Sequence, residues 1–131
     1  YLVRFWDALV FVRPEFGRLT KSQRQQLRGR SLAGTSVSIH GVIGLASRLW
    51  DTNANSTSEE LAEELRPLAE KVEVDGSGVD FFSYQNPVWT RIGILVPGED
   101  KHGNAKLTLR MSFQTRAAMR DQLLKQLGVT N

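Results

Sequence analysis

Basic side chains are concentrated in the segment that follows the first apolar stretch of this chain. Between residues 13 and 30 there are six lysines and arginines and a single acidic residue. If residues 21–29 are helical, three of these cations recur at spacings of three and four and share one helix face. A row of cations can follow a phosphate backbone, and each contacted phosphate releases counterions. The sequence therefore predicts non-specific phosphate contacts to DNA through Arg18, Lys21, Arg24, Arg28 and Arg30.

The charges of the chain are sorted by segment. Residues 1–48 carry a net charge of +6, residues 49–80 carry −7 and residues 81–131 carry +4. A separation of this kind suits a domain with one basic face and one acidic face. It also leaves a second interpretation open, in which the arginines pair with a glutamate-rich helix at about 59–73 and only form part of a solvated surface.

Four further residues are candidates for contact with a ligand or a base. Tyr84 and Trp89 belong to the densest aromatic segment, and such rings can stack on an exposed base. We favour burial for these rings, because large aromatic side chains are usually buried. Asn86 lies between them and precedes a proline that holds it in an extended turn. His40 has no acid or nucleophile at a motif spacing, which favours a structural or surface position.

Motifs of catalysis and of metal binding are missing from the sequence. The chain has two histidines and no cysteine, which argues against a transition-metal site built by the protein. Neither a nucleophile–base pair nor a phosphate-binding loop is present. We therefore expect no enzymatic activity, no metal and no cofactor here, and leave the activity of a longer parent protein open.

Small residues form a ridge on one predicted helix, comprising Gly34, Ser38, Gly41 and Leu45, with Gly44 and Ser47 alongside. Such a ridge lets a neighbouring backbone approach closely. Close packing of two helices is the interpretation we favour. The alternative is a helix that lies against a ligand or a nucleic-acid backbone.

Hydrophobic periodicity and turn residues predict the elements that position these groups. Helices are expected from residue 2 to near Pro14, at 21–29 and 32–50 (or as one bent helix), at 57–72 with a kink at Pro67, and at 115–127. Strands are expected at 91–97 and 106–111, and 75–78 is expected to be a flexible turn. The predicted fold is a single α+β domain over residues 1–131, mostly α, with four to five helices and one C-terminal antiparallel β-hairpin.

Composition points to a cytoplasmic protein. The longest apolar run is far shorter than the roughly 20 residues that a membrane-spanning helix needs, and the start does not resemble a signal peptide. The lack of cysteine fits a reducing compartment. Because the chain opens without Met on an amphipathic pattern, we expect it to be a fragment of a longer protein.

One family resemblance is carried by the C-terminal half. Asn86-Pro87-Val88-Trp89, the two strands that follow, and the ending at 123–129 resemble the C-terminal end of DndB-type proteins, the DGQHR-domain proteins associated with DNA phosphorothioate modification. The segments 5–9 and 38–42 are similar to stretches that follow that domain. The Asp-Gly-Gln-His-Arg motif that names the family is absent from this chain, so none of its residues can be carried over.

The resemblance implies a cytoplasmic bacterial protein that works in DNA sulfur modification or in its transcriptional regulation. For this chain it implies a C-terminal accessory region, with DNA, an upstream domain of the same protein and a homo-oligomer as candidate partners. The alternative is a protein-interaction or scaffolding module without DNA binding or catalysis of its own. In that case the acidic helix and exposed Phe5, Trp6 or Phe11 would form the contacts.

Overall fold

The computed structural model describes residues 1–17 and 19–129, in which helices and short strands are mixed. The helices are α1 (Leu2–Val12), α2 (Lys21–Leu27), α3 (Ser36–Asn53), α4 (Ser58–Leu65), α5 (Val88–Arg91) and α6 (Phe113–Gln126). The strands are β1 (Lys71–Val74), β2 (Ser77–Asp80), β3 (Leu95–Glu99) and β4 (Ala105–Leu109), and they form two separate antiparallel hairpins. A mixed helix-and-sheet fold was expected, but the described residues contain one hairpin and at least one helix more than predicted.

Polar residues cap the starts of four helices, three of them with a complete capping box. The hydroxyl oxygens of Thr20 and Thr57 each accept a hydrogen bond from the backbone N–H three residues later, and Oε1 of Gln23 and of Glu60 accepts one from the backbone N–H of the capping threonine. Both of these capping boxes were predicted from the sequence. Ser112 caps α6 in the same manner. These bonds satisfy backbone N–H groups that have no partner inside the helix.

The predicted break after the basic segment is confirmed, with different bounds. α2 ends at Leu27, and the next helix begins only at Ser36, with Thr35 as its cap. Gly34 lies between them at φ +79°, and a Cβ there would sit 2.8 Å from the backbone oxygen of Glu15. Glycine is therefore required at this turn both for its backbone angle and for space.

The helix expected at 57–72 is wrong in its second half. α4 ends at Leu65, and a 3-10 turn over Arg66–Ala69, with Pro67 inside it, leads into β1. The flexible turn expected at 75–78 is instead the centre of a hairpin, in which Val74 pairs with Ser77. Asp75 and Gly76 both have positive φ angles, 51° and 82°. Two such residues form the tight turn whose twist matches the paired strands.

The C-terminal hairpin is confirmed, although β3 starts later than predicted. Residues 88–91 form the short helix α5, so the strand begins at Leu95, which pairs with Leu109. Asp100 orders the connecting turn, because its Oδ1 accepts hydrogen bonds from the backbone N–H groups of His102 at 2.8 Å and Asn104 at 3.0 Å. These bonds hold the pKa of the Asp100 carboxyl below its ordinary value.

The small-residue ridge packs α3 against α6, as favoured from the sequence. A Cβ on Gly41 would overlap the side chain of Met119, and one on Gly44 would lie 2.9 Å from Cδ of Arg120. Gly41 and Gly44 of the ridge are therefore covered by a helix of the same chain, whereas Gly34 lies in the turn before α3. Among the described residues, no helix combines the length and the apolar character that crossing a membrane requires.

Candidate nucleic-acid interface

The helix that carries the basic residues lies on the surface. None of the residues of α2 is buried, and only Leu27 is half-buried. The helix is held by its capping box and by its connections to neighbouring segments. It therefore presents almost its whole circumference to solvent.

The predicted cations are exposed and available. Lys21, Arg24, Arg28 and Arg30 are all exposed, and none forms an ion pair with any residue in 1–17 or 19–129. Arg18, the fifth predicted member, lies outside the described residues. We call Lys21, Arg24, Arg28 and Arg30 the basic segment.

Among the described residues, the acidic helix α4 does not neutralise the basic segment by ion pairs. On α4, Glu63 pairs with Arg66 of the turn that follows it, at 2.5 Å. Glu60 is used in its own capping box. The pairing that would have made the basic segment purely structural is therefore absent from the described part of the chain.

The spacing argument for a single helix face holds only in part. Arg28 is the first residue beyond α2 and has an extended backbone, with φ −60° and ψ 127°. Its side chain is therefore positioned by the loop. Arg24 and Arg28 nevertheless line one groove together with Lys106 of β4, a cation that the sequence reasoning missed. No local spacing could connect Lys106 to α2, because only the tertiary fold brings them together.

This groove, which we call the α2–β4 groove, has a volume of about 500 Å³ and lies open to solvent. The end of α2 and the loop after it contribute to its lining, as do all the residues from Lys106 to Leu109. Glu15 and the half-buried Tyr84 also line the groove. The groove thus combines three cations with one acidic side chain.

Arg13, although part of the same sequence cluster, has an internal role. It is 8% exposed and makes a two-pronged contact with Asp80, from Nη1 to Oδ1 at 2.6 Å and from Nη2 to Oδ2 at 2.8 Å. It also pairs with Glu15, and its Cζ lies 5.0 Å from the ring centre of Phe82. Arg13 therefore joins the end of α1 to β2, and it neutralises the one acidic residue of the groove.

Burial confirms the packing interpretation for Trp89 and excludes stacking of its ring on a nucleic-acid base. The indole is fully buried and stacks on Phe82 at 6.1 Å, while its Nε1 donates to the backbone oxygen of Phe81 at 2.8 Å. Asn86 is also buried: its amide donates to the same oxygen at 2.9 Å, and its Oδ1 accepts from the N–H of Val88. Neither side chain can reach a ligand, so both are removed from the predicted site.

Tyr84 is the one aromatic candidate that the structure places beside the cations. Its backbone N–H donates to the carbonyl of Arg30 at 2.8 Å, which joins the aromatic segment to the basic segment. Burial raises the pKa of the phenol, so it stays neutral at physiological pH. The residue is partly buried against the core and lines the wall of the groove.

His40 lies apart from these groups. It is exposed on α3 and does not line the α2–β4 groove. The structure therefore brings together Arg24, Arg28, Lys106 and Tyr84, and leaves His40 outside. Comparison of the chain with protein-family models, with curated proteins and with solved structures finds no match.

Proposed function

We propose that this chain is a DNA-contacting accessory domain that binds the phosphate backbone through Lys21, Arg24, Arg28 and Arg30. The observation that carries the proposal is that these four side chains are exposed and free of ion pairs with described residues, while Arg13 and Arg66 hold acidic partners. Exposed cations that cluster along a helix and the loop after it are the electrostatic footprint expected of a nucleic-acid-binding surface. Lys106 extends the positive field across the groove.

The binding is proposed to be independent of base sequence. α2 is seven residues long, its exposed side chains are lysine, arginine, serine and glutamine, and the sequence carries no recognisable helix-turn-helix motif. Phosphate contacts fix a protein on the duplex without reading bases. The resemblance to DndB-type proteins supports a place in DNA sulfur modification or its transcriptional regulation, in the cytoplasm of a bacterium.

The proposal is tested by charge reversal at two sites of equal charge. Arg24→Glu with Arg28→Glu changes the basic segment, whereas Arg116→Glu with Lys125→Glu makes the same change on exposed positions of α6. We expect the first pair to weaken binding to a short fluorescent duplex by at least ~10-fold and the second to have a much smaller effect. If the first pair bound duplex as tightly as the parent, the assignment would be wrong.

A protein-interaction module is the second candidate, and one apolar side chain favours it. Phe11 on α1 is 77% exposed, next to Glu59 and Ala62 of α4. Phe5, in contrast, is buried in the core and cannot form such a contact. If this candidate holds, Phe11→Ser abolishes a concentration-dependent association seen by sedimentation, whereas a parent that stays monomeric at high concentration counts against it.

A further inference from the structure

The outer edge of β4 has unused backbone groups. Arg110 donates its N–H to Ile94 at 2.8 Å, and Asp100 donates to Asn104 at 2.9 Å, at the two ends of the hairpin. Because bonded and non-bonded pairs alternate along an antiparallel ladder, the N–H and C=O groups of Leu107 and Leu109 point away from β3. No described residue forms a hydrogen bond with them.

This free edge lies along the α2–β4 groove. Lys106 and Thr108 have side chains on one face of the hairpin and Leu107 and Leu109 on the other, yet all four line the groove. A strand lines a cavity with both faces only where the cavity runs along its edge. The volume of about 500 Å³ lies within the usual range of ligand sites.

The opposite edge of the hairpin is protected against pairing at its centre. Pro97 stands across from Leu107, at a position whose backbone groups would point outward. Proline has no N–H to offer, and natural proteins use it to protect exposed strand edges. The edge of β3 is protected by a proline, whereas the edge of β4 is not. The edge of β4, on the side of the groove, is therefore the one suited to a third strand.

The charge of the groove selects the strand that fits it. Arg24, Arg28 and Lys106 line it, and its one carboxylate, Glu15, is paired with Arg13. Leu107 and Leu109 add half-buried apolar surface. An extended chain with acidic side chains would find backbone partners, cations and apolar contacts together.

We propose that β4 accepts an extended acidic peptide of a partner protein as a third, edge-paired strand in the α2–β4 groove. Main-chain hydrogen bonds to Leu107 and Leu109 give the affinity, and the three cations select acidic side chains. This inference goes beyond DNA binding: it shares Arg24 and Arg28 with the proposed DNA contact, but it also needs the backbone edge of β4, which the DNA contact does not use.

The test uses a synthetic peptide of alternating threonine and glutamate with the whole chain. By NMR, we expect the peptide to slow amide exchange of Leu107 and Leu109 by at least ~10-fold, because their N–H groups gain acceptors. The amide of Thr108 serves as the internal control, since it already bonds to β3. Binding without protection of Leu107 and Leu109, or no binding, overturns the proposal.

Two control peptides separate strand pairing from charge attraction. N-methylation of alternate amides, in each of the two possible registers, should abolish binding in one register only, because only one set of amides faces β4. Replacement of every glutamate by lysine should abolish binding whichever set of amides is methylated. Equal binding of both methylated peptides would show that charge alone attracts the peptide, and the proposal would fall.

A variant outside the groove distinguishes this inference from DNA binding. Lys21→Glu with Arg30→Glu changes the basic segment but not the groove lining. We expect it to weaken duplex binding while peptide affinity stays within about twofold, because exposed charges outside the contact are screened by salt. Equal loss of peptide affinity would contradict the proposed position of the strand, whatever happens to DNA.

Discussion

Arginines that are neighbours in the sequence have opposite roles in the structure. Arg13 is enclosed by Asp80, Glu15 and the face of Phe82, whereas Arg24 and Arg28 extend into solvent. The sequence shows a cluster of equal charges, but it does not show which guanidinium has a carboxylate 67 positions away. Only a folded contact between α1 and β2 makes that distinction.

Removal of the Arg13 guanidinium should destabilise the domain. Arg13→Met keeps the length of the side chain but leaves Glu15 and Asp80 without their partner, so we expect a loss of about 2 kcal/mol in the free energy of unfolding. Arg66→Met is the matched control, because its pair with Glu63 is exposed and should contribute little. Urea unfolding of the two variants measures the difference, and equal effects would contradict the role of Arg13.

The capping box of α4 predicts a dependence of stability on pH. Hydrogen bonds from Thr57 hold the pKa of Glu60 below its ordinary value. The stabilisation is therefore present above about pH 4 and is lost as the pH falls through the lowered pKa. Glu60→Gln keeps the side-chain acceptor and removes the charge, so it should be less stable than the parent at neutral pH.

The difference in stability between the parent and Glu60→Gln should disappear in acid. Once Glu60 is protonated, parent and Glu60→Gln carry the same charge there, and their unfolding free energies should converge at about pH 2. Glu64→Gln removes an equal charge from α4 without touching the cap and serves as the control. If the free energies of unfolding of the parent and Glu60→Gln differed by the same amount at neutral pH and in acid, the effect would not come from the charge of Glu60 in the cap.

Elements with local signals could be predicted, and elements decided by tertiary contacts could not. The starts of α2 and α4 follow from Thr-x-x-Gln and Thr-x-x-Glu patterns that need only neighbouring residues. The leucines at 61, 65 and 68 continue a helical period into the 3-10 turn, which hides the end of α4. The Asp75-Gly76 dipeptide is a strong hairpin signal, but the helical prediction for 57–72 includes Val72, which in the structure pairs with Val79 of the hairpin.

At the level of elements, the contact between α3 and α6 can be tested with one methyl group. Gly41→Ala places its Cβ against the buried Met119, and we expect a loss of about 1–2 kcal/mol in spite of alanine's better helix propensity. Ser47→Ala makes an alanine on the exposed side of the same helix and should be neutral. Thermal unfolding compares them, and a stabilising Gly41→Ala would show that the two helices are not so closely packed.

For the molecule as a whole, the differently charged stretches of the sequence form different elements, and Arg13 with Asp80 joins the two stretches. The acidic segment supplies α4 and β1, whereas the basic segment stays exposed beside β4. Composition was sufficient to predict a basic surface. It could not indicate that Lys106 joins Arg24 and Arg28, or that Trp89 is enclosed, since both facts depend on how distant segments pack.

The salt dependence of duplex binding tests the central claim most directly. If Lys21, Arg24, Arg28 and Arg30 contact phosphates together, the logarithm of the association constant should fall with the logarithm of salt concentration with a slope of about −3 to −4. Each single change to glutamine should make that slope shallower by about 1. A slope near zero, or one that does not change when all four are replaced, would contradict phosphate binding by the basic segment.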